Sequence, residues 1–86
     1  MGEFSIEKLG PVLNWEDRAK RVLKGELARA GLTYKMLAIR LQSLGVEDSE
    51  AAIANRISRG KFSFAFFMQC MAAIGVNEVD LRDRTT

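Results

Sequence analysis

Ala54-Asn55-Arg56-Ile57-Ser58-Arg59-Gly60-Lys61-Phe62-Ser63 holds the end of one helix and the start of the next. Ile57 lies one turn beyond Ile53, with Ala54 beside them, so these three form an inward stripe. Gly60 stands where a left-handed residue ends a helix, and Ser63 has the side chain of an N-cap for the segment that follows. Asn55, Arg56 and Arg59 are left for other faces, together with Glu50 and Ala51. Asn and Arg are the side chains that make paired hydrogen bonds to adenine and guanine edges. Arg59 and Lys61 are cations at a helix end. They suit a phosphate backbone and equally suit the negative end of the helix dipole.

Working outward, the same helical punctuation recurs. Upstream, Val46 leads into the acidic cluster Glu47-Asp48-Ser49-Glu50, where Asp48 or Ser49 is the N-cap of the helix that runs to about Ser58. Before it, Thr33 caps a helix whose inner stripe is Leu37, Ala38, Leu41 and Leu44, with Gly45 as the stop. Earlier still, Asn14 caps a helix over about 15–30, with Trp15, Ala19, Val22, Leu23, Leu27 and Ala30 at helical spacing and Gly31 beyond its end. Downstream of Ser63, the segment from Phe64 to Ile74 is a helix in which Gln69 is the only polar side chain. A surface helix should show a polar face, so this one asks for a covering surface. Val79 and Leu81 fit the anchor of a short fifth turn. No alternating strand pattern and no internal repeat is present.

Composition sets the outer bounds. Eighty-six residues make one domain, small enough that a second copy would relieve its shortage of core. Hydrophobic residues make up 48% of the chain and the net charge is +2, with a pI of about 9.0; this permits a nucleic-acid partner without requiring one. Cys70 is the lone cysteine and there is no histidine. This rules out an internal disulfide and removes the commonest general base. Glu16-Asp17 and the acidic cluster at 47–50 sit at helix starts, where the dipole explains them, so neither catalysis nor metal binding is expected. The longest apolar run falls short of a membrane span, and the N-terminus lacks a signal-peptide pattern. These features point to a cytoplasmic protein with no cofactor and no small-molecule ligand. The chain divides into an arm at 1–13, punctuated by Gly10-Pro11, a helical domain at 14–76 and a polar tail at 77–86.

Three segments in order resemble the phage Cro/repressor-like helix-turn-helix family. Gly31-Leu32-Thr33-Tyr34-Lys35-Met36-Leu37-Ala38 is similar to its opening, Ile57-Ser58-Arg59-Gly60-Lys61 to the end of its recognition helix, and Phe64 to Val76, ending Ala-Ile-Gly-Val, to its following helix. The joint between the two motif helices is several residues longer than in that family, between Ala38 and Ala54. The resemblance implies a compact all-α domain of four to five helices containing a helix-turn-helix. It also implies a small bacterial or phage transcriptional regulator that binds double-stranded DNA sequence-specifically as a homodimer. Matched backwards from Gly60, the positions facing bases would be Glu50, Ala51, Ala52, Asn55 and Arg56. Phosphate contacts would fall to Arg59, Lys61 and Ser63, and to Thr33, Tyr34 and Lys35 at the start of the second helix. The family presents polar residues where Ala65, Phe66, Gln69 and Ala72 stand. Here only Gln69 stays polar, which makes Phe66, Met68, Gln69 and Ala72 a dimer or partner surface, unless the arm folds over this helix with Phe4, Ile6, Leu9, Val12 and Leu13. The alternative reading is a helical interaction module, antitoxin- or adaptor-like, that uses this fourth helix.

Overall fold

A computed structural model describes residues 14–82. The described chain folds as four helices: α1 (Trp15–Ala30), α2 (Tyr34–Ser43), α3 (Glu50–Arg59) and α4 (Phe64–Ile74). No strand occurs among the described residues. The arm assigned to residues 1–13 and the last four residues of the tail lie outside them.

Each helix begins on a side-chain cap. Asn14, Thr33, Ser49 and Ser63 accept from the backbone N–H groups of Asp17, Met36, Ala52 and Phe66, at 3.0, 3.2, 3.1 and 2.9 Å. These bonds satisfy donors that a helix start leaves without intrahelical partners. Between Asp48 and Ser49, the cap of α3 is thus Ser49. Helices α1, α3 and α4 end on left-handed glycines, Gly31, Gly60 and Gly75.

The end of α2 differs from expectation. The helix stops at Ser43, Leu44 leaves it, and left-handed Gly45 reverses the chain. The N–H of Val46 then donates to the Leu41 carbonyl at 3.0 Å. That turn carries Leu44 out of the inner stripe, leaving it 48% exposed, and lays Val46 on the core instead. Trp15 likewise stands outside the stripe read for α1, because the first residue of the helix overhangs the core; it is 61% exposed.

The fifth turn does not form. Val79 packs on the core but Leu81 is exposed. The Asp80 carboxylate accepts from the Arg82 N–H at 2.9 Å, a local side-chain bond that competes with helix. Arg18 donates to the Leu81 carbonyl and ties this segment to α1.

The core takes residues from every helix: Leu23 and Leu27, Leu37 and Leu41, Ile53 and Ile57, and Phe66, Cys70, Met71 and Ile74. α1 packs on α3 and α4, and α2 also packs on α3 and α4. The backbones of α1 and α2 do not approach one another closely, nor do those of α3 and α4. None of the described helices is long and apolar enough to cross a membrane.

Candidate nucleic-acid interface

Helix α3 is amphipathic. Ile53 and Ile57 are fully buried, while Glu50, Ala51, Ala52, Asn55, Ser58 and Arg59 are exposed. The outward face therefore opens on the acid Glu50, continues through the small Ala51 and Ala52 and the polar Asn55 and Ser58, and ends in Arg59. Arg59 and Lys61 are both exposed, and neither has an ion-pair partner among the described residues. Four of the five positions matched to base contacts, Glu50, Ala51, Ala52 and Asn55, thus share the solvent side with Arg59.

Arg56 is placed differently. Its Nη2 lies 2.7 Å from Asp48 Oδ2, and its guanidinium carbon sits 4.6 Å from the centroid of the Phe66 ring. The side chain spans from the loop before α3 to the buried face of α4. A guanidinium held by an ion pair and an aromatic face is a tie between elements before it is a reader of bases. The acidic residue responsible, Asp48, belongs to the cluster that the dipole had seemed to explain.

Gly60 fixes the end of α3 by a second means besides its φ of +66°. A Cβ there would lie 2.0 Å from the Glu16 carbonyl oxygen and 2.6 Å from the carbonyl carbon. The turn carrying Arg59 and Lys61 is thus in backbone contact with the first turn of α1. Glycine was legible in the sequence as a helix stop; the close approach was not, because nothing local encodes it.

One more of the expected contacts changes. The Tyr34 ring packs against the core, and its hydroxyl is buried with no hydrogen-bond partner among the described residues. It cannot meet a phosphate from there, and Tyr34 leaves the set. Thr33 and Lys35 beside it are exposed, with the Thr33 hydroxyl engaged as a cap. Ser63 caps α4 in the same way.

On α4, Phe66 is a core residue, only 3% exposed, because it points between the helices and under Arg56. It is removed from the partner surface. Ala65, Met68, Gln69 and Ala72 remain exposed along one stripe, at the three- and four-residue spacing of a single helix face.

Cys70 is fully buried. Burial pushes its thiol up to about 12, against a smaller opposing pull from the Arg56 guanidinium. The side chain is a packing element at neutral pH. No group of three or more metal-binding side chains comes together among the described residues.

The sequence reading missed a basic face on α1. Arg18, Lys20, Arg21, Lys24, Arg29 and Arg82 line a groove of about 480 Å³, together with one acid, Asp80. Asp80 pairs with Arg82 at 2.6 Å. Asp17 holds Lys20 at 3.3 Å and Arg21 at 2.6 Å, and Glu26 holds Arg29 at 2.5 Å. The Arg21 guanidinium and Lys20 ammonium keep the Asp17 carboxyl below its usual range. The signal was available: cations recur at three- and four-residue steps through α1.

The described residues form a compact, all-helical domain with a polar α3 face ending in Arg59 and a basic face on α1. The chain belongs to a family described as Domain of unknown function (DUF6471), whose model matches residues 15–79. The match runs from the first residue of α1 to Val79, the last residue packed on the core. No curated protein and no solved structure matches the chain.

Proposed function

We propose that this protein is a sequence-specific double-stranded DNA-binding protein of helix-turn-helix type, a transcriptional regulator that presents the outer face of α3 to the major groove. The observation that carries the reading is the make-up of that face. Ala51, Ala52, Asn55 and Ser58 are small or polar and exposed, and the face ends in Arg59 and, past the turn, Lys61, without ion-pair partners among the described residues. Small side chains let a helix sit deep in a groove about 12 Å wide. Asn55 then reads an edge, and Arg59 and Lys61 meet phosphates. Arg56 supports the helix through Asp48 and Phe66 rather than leading recognition. The exposed stripe of Ala65, Met68, Gln69 and Ala72 would join two copies, placing two α3 helices in successive grooves of a roughly palindromic site.

Selection from a random duplex pool, followed by a salt titration of the winner, tests this reading. The expected result is an enriched site whose discrimination Asn55→Ala reduces by about 1–3 kcal/mol. Arg59→Ala and Lys61→Ala should each reduce the log–log salt slope by about 0.9. No enrichment over background would overturn it. A strict monomer at low micromolar concentration would remove the two-fold arrangement.

One observation favours the second reading, a protein-interaction module: Met68 is 56% exposed on a helix whose only polar side chain is Gln69, and exposed apolar patches mark partner surfaces. Under that reading the same selection returns nothing, and α4 substitutions alone abolish partner binding.

A further inference from the structure

We infer that the α1 side of the domain is a binding surface for single-stranded nucleic acid, separate from the α3 face. Two adjoining features build it. The first is the basic groove along α1. α1 contains five cations and three acids, a net +2 that equals the net charge of the whole chain. The rest of the chain is therefore neutral in sum, and α1 carries the excess positive charge that attracts a polyanion. From Arg18 to Arg29 the helix rises about 16 Å, the length over which one nucleic-acid strand in B-form geometry presents about five phosphates. The Asp17 and Glu26 carboxylates hold Arg21 and Arg29 along the groove edge.

The second feature is aromatic. A groove of about 400 Å³ continues from the basic one, sharing Arg18 and Val22 with it. Trp15, Phe64 and Leu81 on its walls are 61%, 73% and 66% exposed. Phe64 stacks on Phe67 at 6.2 Å between ring centroids, Phe67 on Phe62 at 6.4 Å, and Arg18 lies 5.4 Å from the Trp15 centroid. Phe64 and Trp15 thus each pack against a neighbour while staying largely exposed.

The pairing of the two grooves selects the ligand. A duplex would use the cations but keeps its bases stacked away from the rings. An acidic peptide offers charge but no flat partners for Trp15 and Phe64. A single strand offers both: its backbone follows the basic groove and its unstacked bases lie on the aromatic end. The surface does not depend on the α3 reading, because it shares neither Asn55 nor Arg59 with it.

Trp15 is the only tryptophan in the chain, so its emission reports on this site alone. The full-length protein would be titrated with a twelve-nucleotide oligothymidylate. Stacking should quench Trp15, with a log–log salt slope of about −2 to −3 for three to four phosphates. Phe64→Ala should weaken binding about 5- to 100-fold. Lys24 is exposed and has no ion-pair partner among the described residues. Lys24→Glu should therefore weaken binding and flatten the slope while leaving the circular dichroism unchanged. Asn55→Ala should leave the quench intact; Phe64→Ala should leave binding of a selected duplex intact. The two surfaces can thus fail separately. The inference is overturned if oligothymidylate leaves Trp15 unquenched, or if polyglutamate or anionic vesicles change its emission as strongly. It is also overturned if acrylamide fails to reach Trp15 in the free protein, which would mean that other parts of this chain already fill the groove.

Discussion

Replacing Gly60 with alanine separates two costs that most helix-ending glycines combine. The first is conformational: a residue with a Cβ held at a φ of +66° loses about 1–2 kcal/mol. The second is steric. The new methyl would sit 2.0 Å from the Glu16 carbonyl oxygen, an atom fixed in the backbone of α1. Forcing extra volume into a packed site costs about 1–3 kcal/mol even where neighbours give way. Together the loss is about 2–5 kcal/mol, against a total stability of roughly 4–13 kcal/mol for a chain of this length. Gly31 is the internal control. Its φ is +70°, and a Cβ there meets nothing within 4 Å, so Gly31→Ala pays only the conformational cost. Urea unfolding followed by circular dichroism would measure both variants. In thermal melts the Gly60 variant should fall below the Gly31 variant by at least about 4 °C. Equal losses, within about 0.5 kcal/mol of each other, would refute the close approach of α3 to α1 and with it the placing of Arg59 and Lys61.

Three other outcomes follow from the geometry. Asp48→Asn should cost under about 1 kcal/mol of stability, since the pair with Arg56 is partly exposed. It should also raise the salt slope of duplex binding by up to about 0.9 as Arg56 becomes available to a phosphate; an unchanged slope would show that Arg56 stays on Phe66. The folded protein should resist Ellman's reagent at pH 8, because burial pushes the Cys70 thiol up to about 12, and denaturant should release a full equivalent; rapid labelling without denaturant would contradict the burial. The Asp17 carboxyl is held below its ordinary 3.8 by Arg21 and Lys20, so its contribution is present above that value and is lost as pH falls through the lower folded value. An acid melt of Asp17→Asn should lack that part of the loss, and a curve parallel to the parent's would dismiss the contribution.

The four helices were legible because their signals are local. Asn14, Thr33 and Ser63 were readable as caps, and Gly31 and Gly60 as stops, each from its own few residues. Ser49 was one of two candidates, and only the backbone at the start of α3 decides between it and Asp48. The errors fall where a side chain answers to something distant. Leu44 matched the α2 stripe by spacing, but the early reversal at Gly45 gave its place to Val46. Phe66 looked like surface because the resemblance put polar residues there; the geometry of α4 against Arg56 buries it. Arg56 itself carried the right chemistry for a base edge, and its engagement with Asp48, eight residues away, depends on the path of the loop. The basic face of α1 shows in its own cation spacing, but the groove does not, because it needs Asp80 and Arg82 folded back beside the helix.

The packing order of the helices bears on what can be cut. Every helix pair whose backbones approach closely, α1 with α3, α1 with α4, α2 with α3 and α2 with α4, joins the first half of the domain to the second. A break at Gly45, which is exposed and has open space around it, would therefore leave α1 and α2 without a closely packed helix partner, and α3 and α4 joined through the Arg56–Phe66 contact rather than by close backbone packing. The shared core would be divided between the fragments. The two would be disordered apart and structured only on meeting, so the domain behaves as an interlocked pair of hairpins whose covalent link mainly sets their local concentration.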